Sequence, residues 1–360
     1  MIPDDEARLM YHSALGTDTG GSVRLPAAYN DIFGFKPSYG LVSRWGVVAY
    51  ANSLDTVGYM AKDVHTLRLL HHELGSLDAY DEKDPTSLNL ATRKRIRQAV
   101  KAQKRQGSIR FGVPTEYNIE ELSPIVREVW LETLQRLRSA GHTVHPVSLP
   151  STRQALSAYY VLAPAEASSN LAKYDGVRYG NHPPDATPST HTQLFAKTRK
   201  HGFGEEVRRR ILLGAYSLSA DAIDNYFMQA QRIRRLVVKD FDAIFAMPNV
   251  LMTDEASPGA EDSDTANVET TVDAIICPTA PTLAPTLGEI ARQAPLDAYA
   301  GDVFTVPASL AGLPAISVPM SPSTAISMPQ GVQSVGMQII TQYGDDEACL
   351  DYAALLSSLA

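Results

Sequence analysis

Cysteine is scarce in this chain of 360 residues: it holds two, Cys277 and Cys349. That excludes a disulfide framework and a cysteine-built zinc cluster. The nine histidines form no His-Glu-x-x-His and the cysteines no Cys-x-x-Cys, so no metal site is expected. Long apolar runs are also missing. Ala158 to Ala163, bounded by Ser157 and Pro164, is typical, and nothing nears the ~18 residues of a membrane span, so no membrane role is expected. Positive charge is short: 32 Lys and Arg against 40 Asp and Glu give a net charge of −8. A chain this acidic is not by itself a strong nucleic-acid binder. Residues 249–272 lack Lys and Arg altogether and carry Asp254, Glu255, Glu261, Asp262, Asp264 and Glu269; without these six acids the net charge would be −2. The segment reads as an acidic, solvated, disordered insertion. The opening Met1-Ile-Pro-Asp-Asp-Glu has no apolar core region and no arginine, so it reads as neither a secretory signal nor a transit peptide. What is present, 44% apolar and 20% charged residues, is the balance of a globular protein of one large domain or two to three small ones.

The first 60 residues are dense in Gly, Ser and Thr and predict tight turns and short strands, not helices. Residues 62–78 predict a helix, and the polar, basic stretch 79–108 a surface excursion. Arg110 to Pro114 reads as a strand. Ser123-Pro124 predicts the start of a helix, with Ser as N-cap and Pro at the first helical position, and Gly141 closes it. Thr143 to Val147 is the next strand, and this alternation points to an α/β fold with helices on a sheet. Helical patterns follow over 150–175, 204–216 and 220–241, the last with a stripe of Ile223, Tyr226, Phe227, Ala230, Ile233, Val237 and Phe241 that reads as core. A loop is expected over 181–192. Asp273 to Pro278 reads as a buried strand, 302–320 as a helical segment and a strand, 322–330 as a loop, Val335 to Ile340 as a strand and Asp346 to Leu359 as a closing helix.

The chemistry concentrates at Thr17-Asp-Thr-Gly-Gly-Ser22. A Gly-Gly pair before a serine lets the backbone turn tightly and aim several N–H groups at one point, either at a phosphate or at an oxyanion beside a nucleophilic hydroxyl. The phosphate loop needs a Gly-Lys-Ser/Thr ending, and no lysine lies between Gly16 and Ser22. A Gly-rich turn without function is the remaining reading of the spacing alone.

The surroundings decide. Gly16-Thr-Asp-Thr-Gly-Gly-Ser-Val-Arg-Leu-Pro-Ala27, followed by Gly34-Phe-Lys-Pro-Ser-Tyr-Gly-Leu-Val-Ser43, resembles the signature region of the amidase signature family. Three further stretches resemble one branch of that family, the glutaminase subunits of the glutamyl-tRNA(Gln) amidotransferases: Glu166 to Gly180 with its Asp175-Gly-Val-Arg-Tyr-Gly180, Gly202 to Gly214, and Asp302 to Pro314. The resemblance implies one amidase-signature domain over 1–360, with a mixed β-sheet covered by helices on both faces and with 249–272 inserted. It implies a serine amidase whose nucleophile falls on Ser22, with backbone N–H groups of Thr19, Gly20, Gly21 and Ser22 holding the oxyanion. It places the glutamine-holding tyrosine, arginine and aspartate on Tyr159, Arg210 and Asp302, with Arg210 for the α-carboxylate and Asp302 for the α-ammonium. Tyr160 is the alternative one position on, Arg208 and Arg209 are the alternatives to Arg210, and Asp302 could instead cap the helix after it. Arg24 and Asp18 read as structural partners of the loop, and Cys277 as buried core.

The family's base, a lysine acting through a cis-serine, would precede Met1 in this numbering. Ser13 stands too close to Ser22 to be that serine, and Lys36 lies after the nucleophile. The expectation is therefore a truncated chain that by itself hydrolyses glutamine negligibly, with a non-catalytic scaffold or a stand-alone small-amide hydrolase as alternatives. The function implied is the glutaminase subunit of a tRNA-dependent amidotransferase. It would release ammonia to a B subunit, alongside a small C-type subunit, for conversion of Glu-tRNA(Gln). No cofactor is implied in this subunit; ATP and Mg serve the complex. The acidic insertion and the 322–330 loop favour a mitochondrial location over a bacterial cytoplasm.

Overall fold

The structure, a computed structural model, describes residues 13–103, 107–183, 195–252, 271–292, 299–324 and 326–360. In chain order, β1 (Ser13–Asp18) runs into the glycine-rich loop and α1 (Arg24–Tyr29) leaves it. Then come β2 (Phe33–Lys36), β3 (Thr56–Ala61), α2 (Val64–Leu74), α3 (Leu90–Ala102), β4 (Arg110–Pro114), α4 (Pro124–Ser139), β5 (Thr143–Val147) and α5 (Ala155–Asn170). α6 (Ala196–Gly202), α7 (Glu205–Ser217), α8 (Phe227–Ile244), β6 (Ala274–Pro278), α9 (Leu287–Ile290), α10 (Val306–Leu310), β7 (Ala315–Met320), β8 (Val335–Ile340) and α11 (Asp346–Ser358) complete it. The strands form one sheet in the order β1-β3-β2-β7-β8-β6-β4-β5. Pairing is antiparallel from β1 as far as β6 and parallel across β6-β4-β5, so the sheet is mixed, as expected.

Every residue of β6 and of β8 is buried. Uninterrupted burial, without alternation, is what a strand covered on both faces requires. On one face, Tyr59, Phe35, Ile316, Ile339 and Ile276 stand at successive paired positions across five strands. His71 of α2 meets the Phe35 ring edge-on at 5.4 Å there, and Cys349 of α11 reaches the Ile339 carbonyl. The other face carries the paired row Gly34, Ser317, Gln338 and Cys277. It receives α1, because a Cβ on Gly34 would stand 2.5 Å from that of Ala27 and only glycine lets the helix sit this close. Small and polar residues on this face thus bring the loop before α1 down onto the sheet.

Several expectations need correcting. Residues 24–29 are helical, not part of a run of turns and strands; Pro26 falls in the first turn, where its missing N–H costs nothing. The 79–108 excursion contains α3, capped by the Asn89 side chain on the Thr92 N–H, with Arg93 and Ile96 buried. Arg93 reads in sequence as surface charge, yet it donates to the carbonyls of Ser76, Leu88 and Leu41. Ser123 takes the N-cap position of α4, but its hydroxyl makes no capping bond. α8 starts at Phe227, and Tyr226 is 45% exposed, so the core stripe begins a turn later than its periodicity suggests. The supposed solvated segment 249–272 is structured at both ends: Asn249 donates to Asp242, and fully buried Val272 bridges Phe245. Its middle, 253–270, lies outside the described residues, as do 184–192 of the expected loop.

Lys36, at the end of β2, is fully buried and donates to the carbonyls of Pro37 at 3.1 Å and Leu313 at 2.5 Å. Burial, reinforced by the Arg24 guanidinium, pulls its pKa down to about 7. A lysine depressed in the fold contributes stability that is fully present above its unfolded pKa and is lost as pH falls through the folded one. Between pH 7 and about 10, stability should therefore rise with pH more steeply in the wild type than in Lys36→Met, by up to about 1.4 kcal/mol per pH unit. Urea unfolding across that range checks this, and coincident slopes would mean that Lys36 stays charged when folded.

Candidate active site

Asp18 and Arg24 bracket the glycine-rich loop and close it. The Arg24 guanidinium, 0% exposed, forks onto Asp18 through Nε and Nη2, both at 2.9 Å, while Asp18 Oδ2 also accepts the N–H of Val23. The remaining donors of Arg24 reach the Thr305 carbonyl, Gln338 Oε1 and Ser309 Oγ. Burial alone would raise the Asp18 pKa, but the Arg24 charge and hydrogen bonds outweigh it and hold the carboxyl below its usual range. A buried ion pair with this many satisfied partners fixes a geometry. Here the geometry is the path of Thr19 to Val23 over the start of α10. Gly21, at φ +152°, passes so close to Thr305 that a Cβ would collide with its hydroxyl. Gly20 lies under the Tyr159 ring, where a Cβ would be 2.6 Å from Cζ.

Ser22 stands at the turn into α1 with its side chain exposed, and among the described residues its hydroxyl makes no hydrogen bond. The N–H groups of Gly20, Gly21 and Ser22 are likewise unengaged by the described chain. A hydroxyl beside unengaged backbone donors is the arrangement an acyl transfer needs. Ser22 lines a cavity of about 240 Å³ together with Thr17, Thr19, Val48, Tyr50, Asp55, Tyr159 and Arg210. No lysine or histidine is among these lining residues.

Arg210 comes from α7. Its Nε donates to Glu206 Oε1 at 2.7 Å and its Nη1 to the Tyr50 hydroxyl at 2.8 Å, and the rings of Tyr50, Tyr160 and Tyr299 surround the guanidinium at 5.7–5.8 Å. Burial disfavours its charge, but Tyr50 and Glu206 more than offset that and raise its pKa. Arg208 has no such cage: among the described residues its guanidinium makes no hydrogen bond, and Arg209 pairs with Glu206. Asp302 does not line the cavity. It stands one layer behind, where its Oδ2 accepts the Tyr160 hydroxyl at 2.9 Å, and Tyr160 packs against Tyr159 at 5.0 Å. Burial pushes the Asp302 carboxyl up to about 6, and the charge of Asp18 adds to this. The helix after it is reached through its backbone carbonyl, which accepts from Thr305 and Val306, and not through its side chain.

The structure therefore gathers Ser22, Thr19, Tyr159 and Arg210 around one cavity, with Gly20 and Gly21 on the loop between Thr19 and Ser22 and Asp302 connected through Tyr160. Cys277 is buried, its sulfur accepting from Gln338. Sequence reasoning missed Tyr50, Asp55, Glu206 and Tyr299. Glu206 carries one local signal, its spacing of four from Arg210, which puts both on one helix face.

A family model described as Amidase matches residues 7–350. The chain is 55% identical over 352 residues to the A subunit of the mitochondrial glutamyl-tRNA(Gln) amidotransferase of Coccidioides posadasii, covering 97% of this chain and 69% of that protein. It is 55% identical over 355 residues to the protein of that name from Emericella nidulans, covering 96% and 69%. The crystal structure of the glutamyl-tRNA(Gln) amidotransferase A subunit from Thermotoga maritima shares its fold with a TM-score of 0.64 and 34% identity, over 95% of this chain and 61% of that one. The chain thus spans about two thirds of the length of these relatives.

Proposed function

Because the chain belongs to the amidase family, and within it to the A subunits of glutamyl-tRNA(Gln) amidotransferases, we propose that its cavity hydrolyses the side-chain amide of glutamine. Ser22 Oγ attacks the amide carbon, the C–N bond breaks, and ammonia leaves with the proton it needs. Water then cleaves the acyl-ester to give glutamate and regenerate the hydroxyl. The N–H groups of Thr19, Gly20, Gly21 and Ser22 stabilise the oxyanion. Arg210 receives the α-carboxylate, and Tyr159 lines the same cavity; Asp302, expected to take the α-ammonium, stands outside that lining and supports it from behind through the Tyr160 hydroxyl. Among the described residues that line the cavity there is no lysine or histidine to serve as the base.

The observation that carries this reading is the placing of an unengaged hydroxyl, unengaged backbone donors and a caged guanidinium on one cavity. The ammonia would pass to a B subunit that, with a small C-type subunit, converts Glu-tRNA(Gln) with ATP and Mg, none of which this subunit binds as a cofactor. The names of the relatives support a mitochondrial location.

Glutamine kinetics on the full-length protein with its partner subunits test it. A charged hydrogen bond is worth roughly 1.5–3 kcal/mol, so Arg210→Ala should raise the glutamine KM about ten- to hundredfold. Arg208→Ala should change KM less than about twofold, since it projects about 200° around the helix from Arg210. Equal damage from both changes would refute the assignment.

A further inference from the structure

The carboxylate of Asp55 touches both halves of this cavity. It is nearly fully buried, at 3% exposure. Oδ1 accepts the Thr19 hydroxyl at 2.7 Å, and Oδ2 accepts the backbone N–H groups of Tyr50 at 2.8 Å and Ala51 at 2.9 Å. Thr19 opens the loop that bears the backbone donors. Tyr50 bears the phenol to which Arg210 donates. One rigid acceptor group thus spans the two elements that must be in register if a single small molecule is to meet both.

We infer that Asp55 is a positioning residue that sets the distance between the oxyanion-binding loop and the carboxylate-binding arginine, and so the length of the amino-acid amide the cavity accepts. Glutamine and asparagine carry the same two ends one methylene apart, so a site that discriminates them must hold its ends at a fixed span. A side chain bonded to only one end could not do this. Asp55 bonds to both with a planar group whose two oxygens are fixed relative to each other. The inference rests on the function proposed above.

The test compares Asp55→Ala, Asp55→Asn, Thr19→Val and Tyr50→Phe in the full-length protein with its partner subunits, with glutamine and with asparagine. Thr19→Val should lower kcat severalfold and Tyr50→Phe should raise KM severalfold, each leaving the other constant nearly alone. Asp55→Ala should move both at least tenfold and narrow the glutamine-to-asparagine preference in kcat/KM by at least tenfold. Asp55→Asn should recover most of the loss, because its oxygen still accepts from Tyr50 and Ala51 while its NH2 donates to Thr19. A merely structural role would lower the melting temperature of Asp55→Ala and leave the preference unchanged, which would overturn the inference. If Asp55→Ala does not fold, the Thr19→Val/Tyr50→Phe double variant decides: effects that multiply within twofold would show that the two ends are independent and would equally overturn it. Ser22→Ala in the same assay separates the two readings. Should it retain turnover, the proposed function has failed, and not this inference alone.

Discussion

Ser22→Ala, in the full-length protein with its partner subunits, should lower glutamine turnover by roughly a thousandfold or more, while the glutamine Kd changes less than about threefold. The contrast follows from what the hydroxyl touches. Among the described residues it bonds to nothing, Arg210 included, although both line the cavity. On the proposed mechanism, removing it takes away the atom that forms the acyl bond but no contact to the α-carboxylate. Ammonia release measures the first quantity and calorimetric titration of the inactive variant the second. A variant that loses binding and turnover in parallel would place Ser22 among the gripping residues, and a variant that keeps turnover would remove it from the chemistry.

The largest loss of stability is expected from Arg24→Ala. The change leaves the Asp18 carboxylate buried without its counter-charge and strands Gln338 Oε1. Breaking a buried pair from one side costs about 3–5 kcal/mol, because the remaining charge has no water to turn to. Removing the second charge as well should return part of this, so Asp18→Asn combined with Arg24→Ala should be more stable than Arg24→Ala alone. Chemical denaturation gives both numbers. A single-variant cost under about 1 kcal/mol would mean that the loop holds its path without the clamp.

The strands and long helices were readable where burial follows a period: β4 to β8, α4, α5 and α11 lie within a few residues of their patterns. α1 was not readable because Gly and Ser on either side of it signal turns, and its helix is held by Asp18 and the sheet instead of by propensity. α3 escaped because its composition is basic. The residues that bury it, Arg93 and Ile96, are spaced three apart, and a buried arginine reads in sequence as solvated charge. Local motif likeness singled out Ser22, which lines the cavity, and the adjoining Gly20 and Gly21. Arg210 could be chosen over Arg208 and Arg209 by register, but its cage could not be foreseen. Tyr50, Tyr160 and Tyr299 come from three separate stretches, and only tertiary packing brings them together.

The clamp on residue 24 also has a consequence in time. Its partners Thr305, Ser309 and Gln338 are made some 280 to 315 positions later, and β2 completes its pairing only when β7 arrives. Contacts this distant in sequence form late and close large loops. A ribosome adds residues in one direction, so nearly the whole chain must emerge before the loop that bears Ser22 takes its working shape. A nascent or prematurely ended chain therefore carries the motif without the geometry, and the reactivity proposed for Ser22 would be a property of finished molecules only.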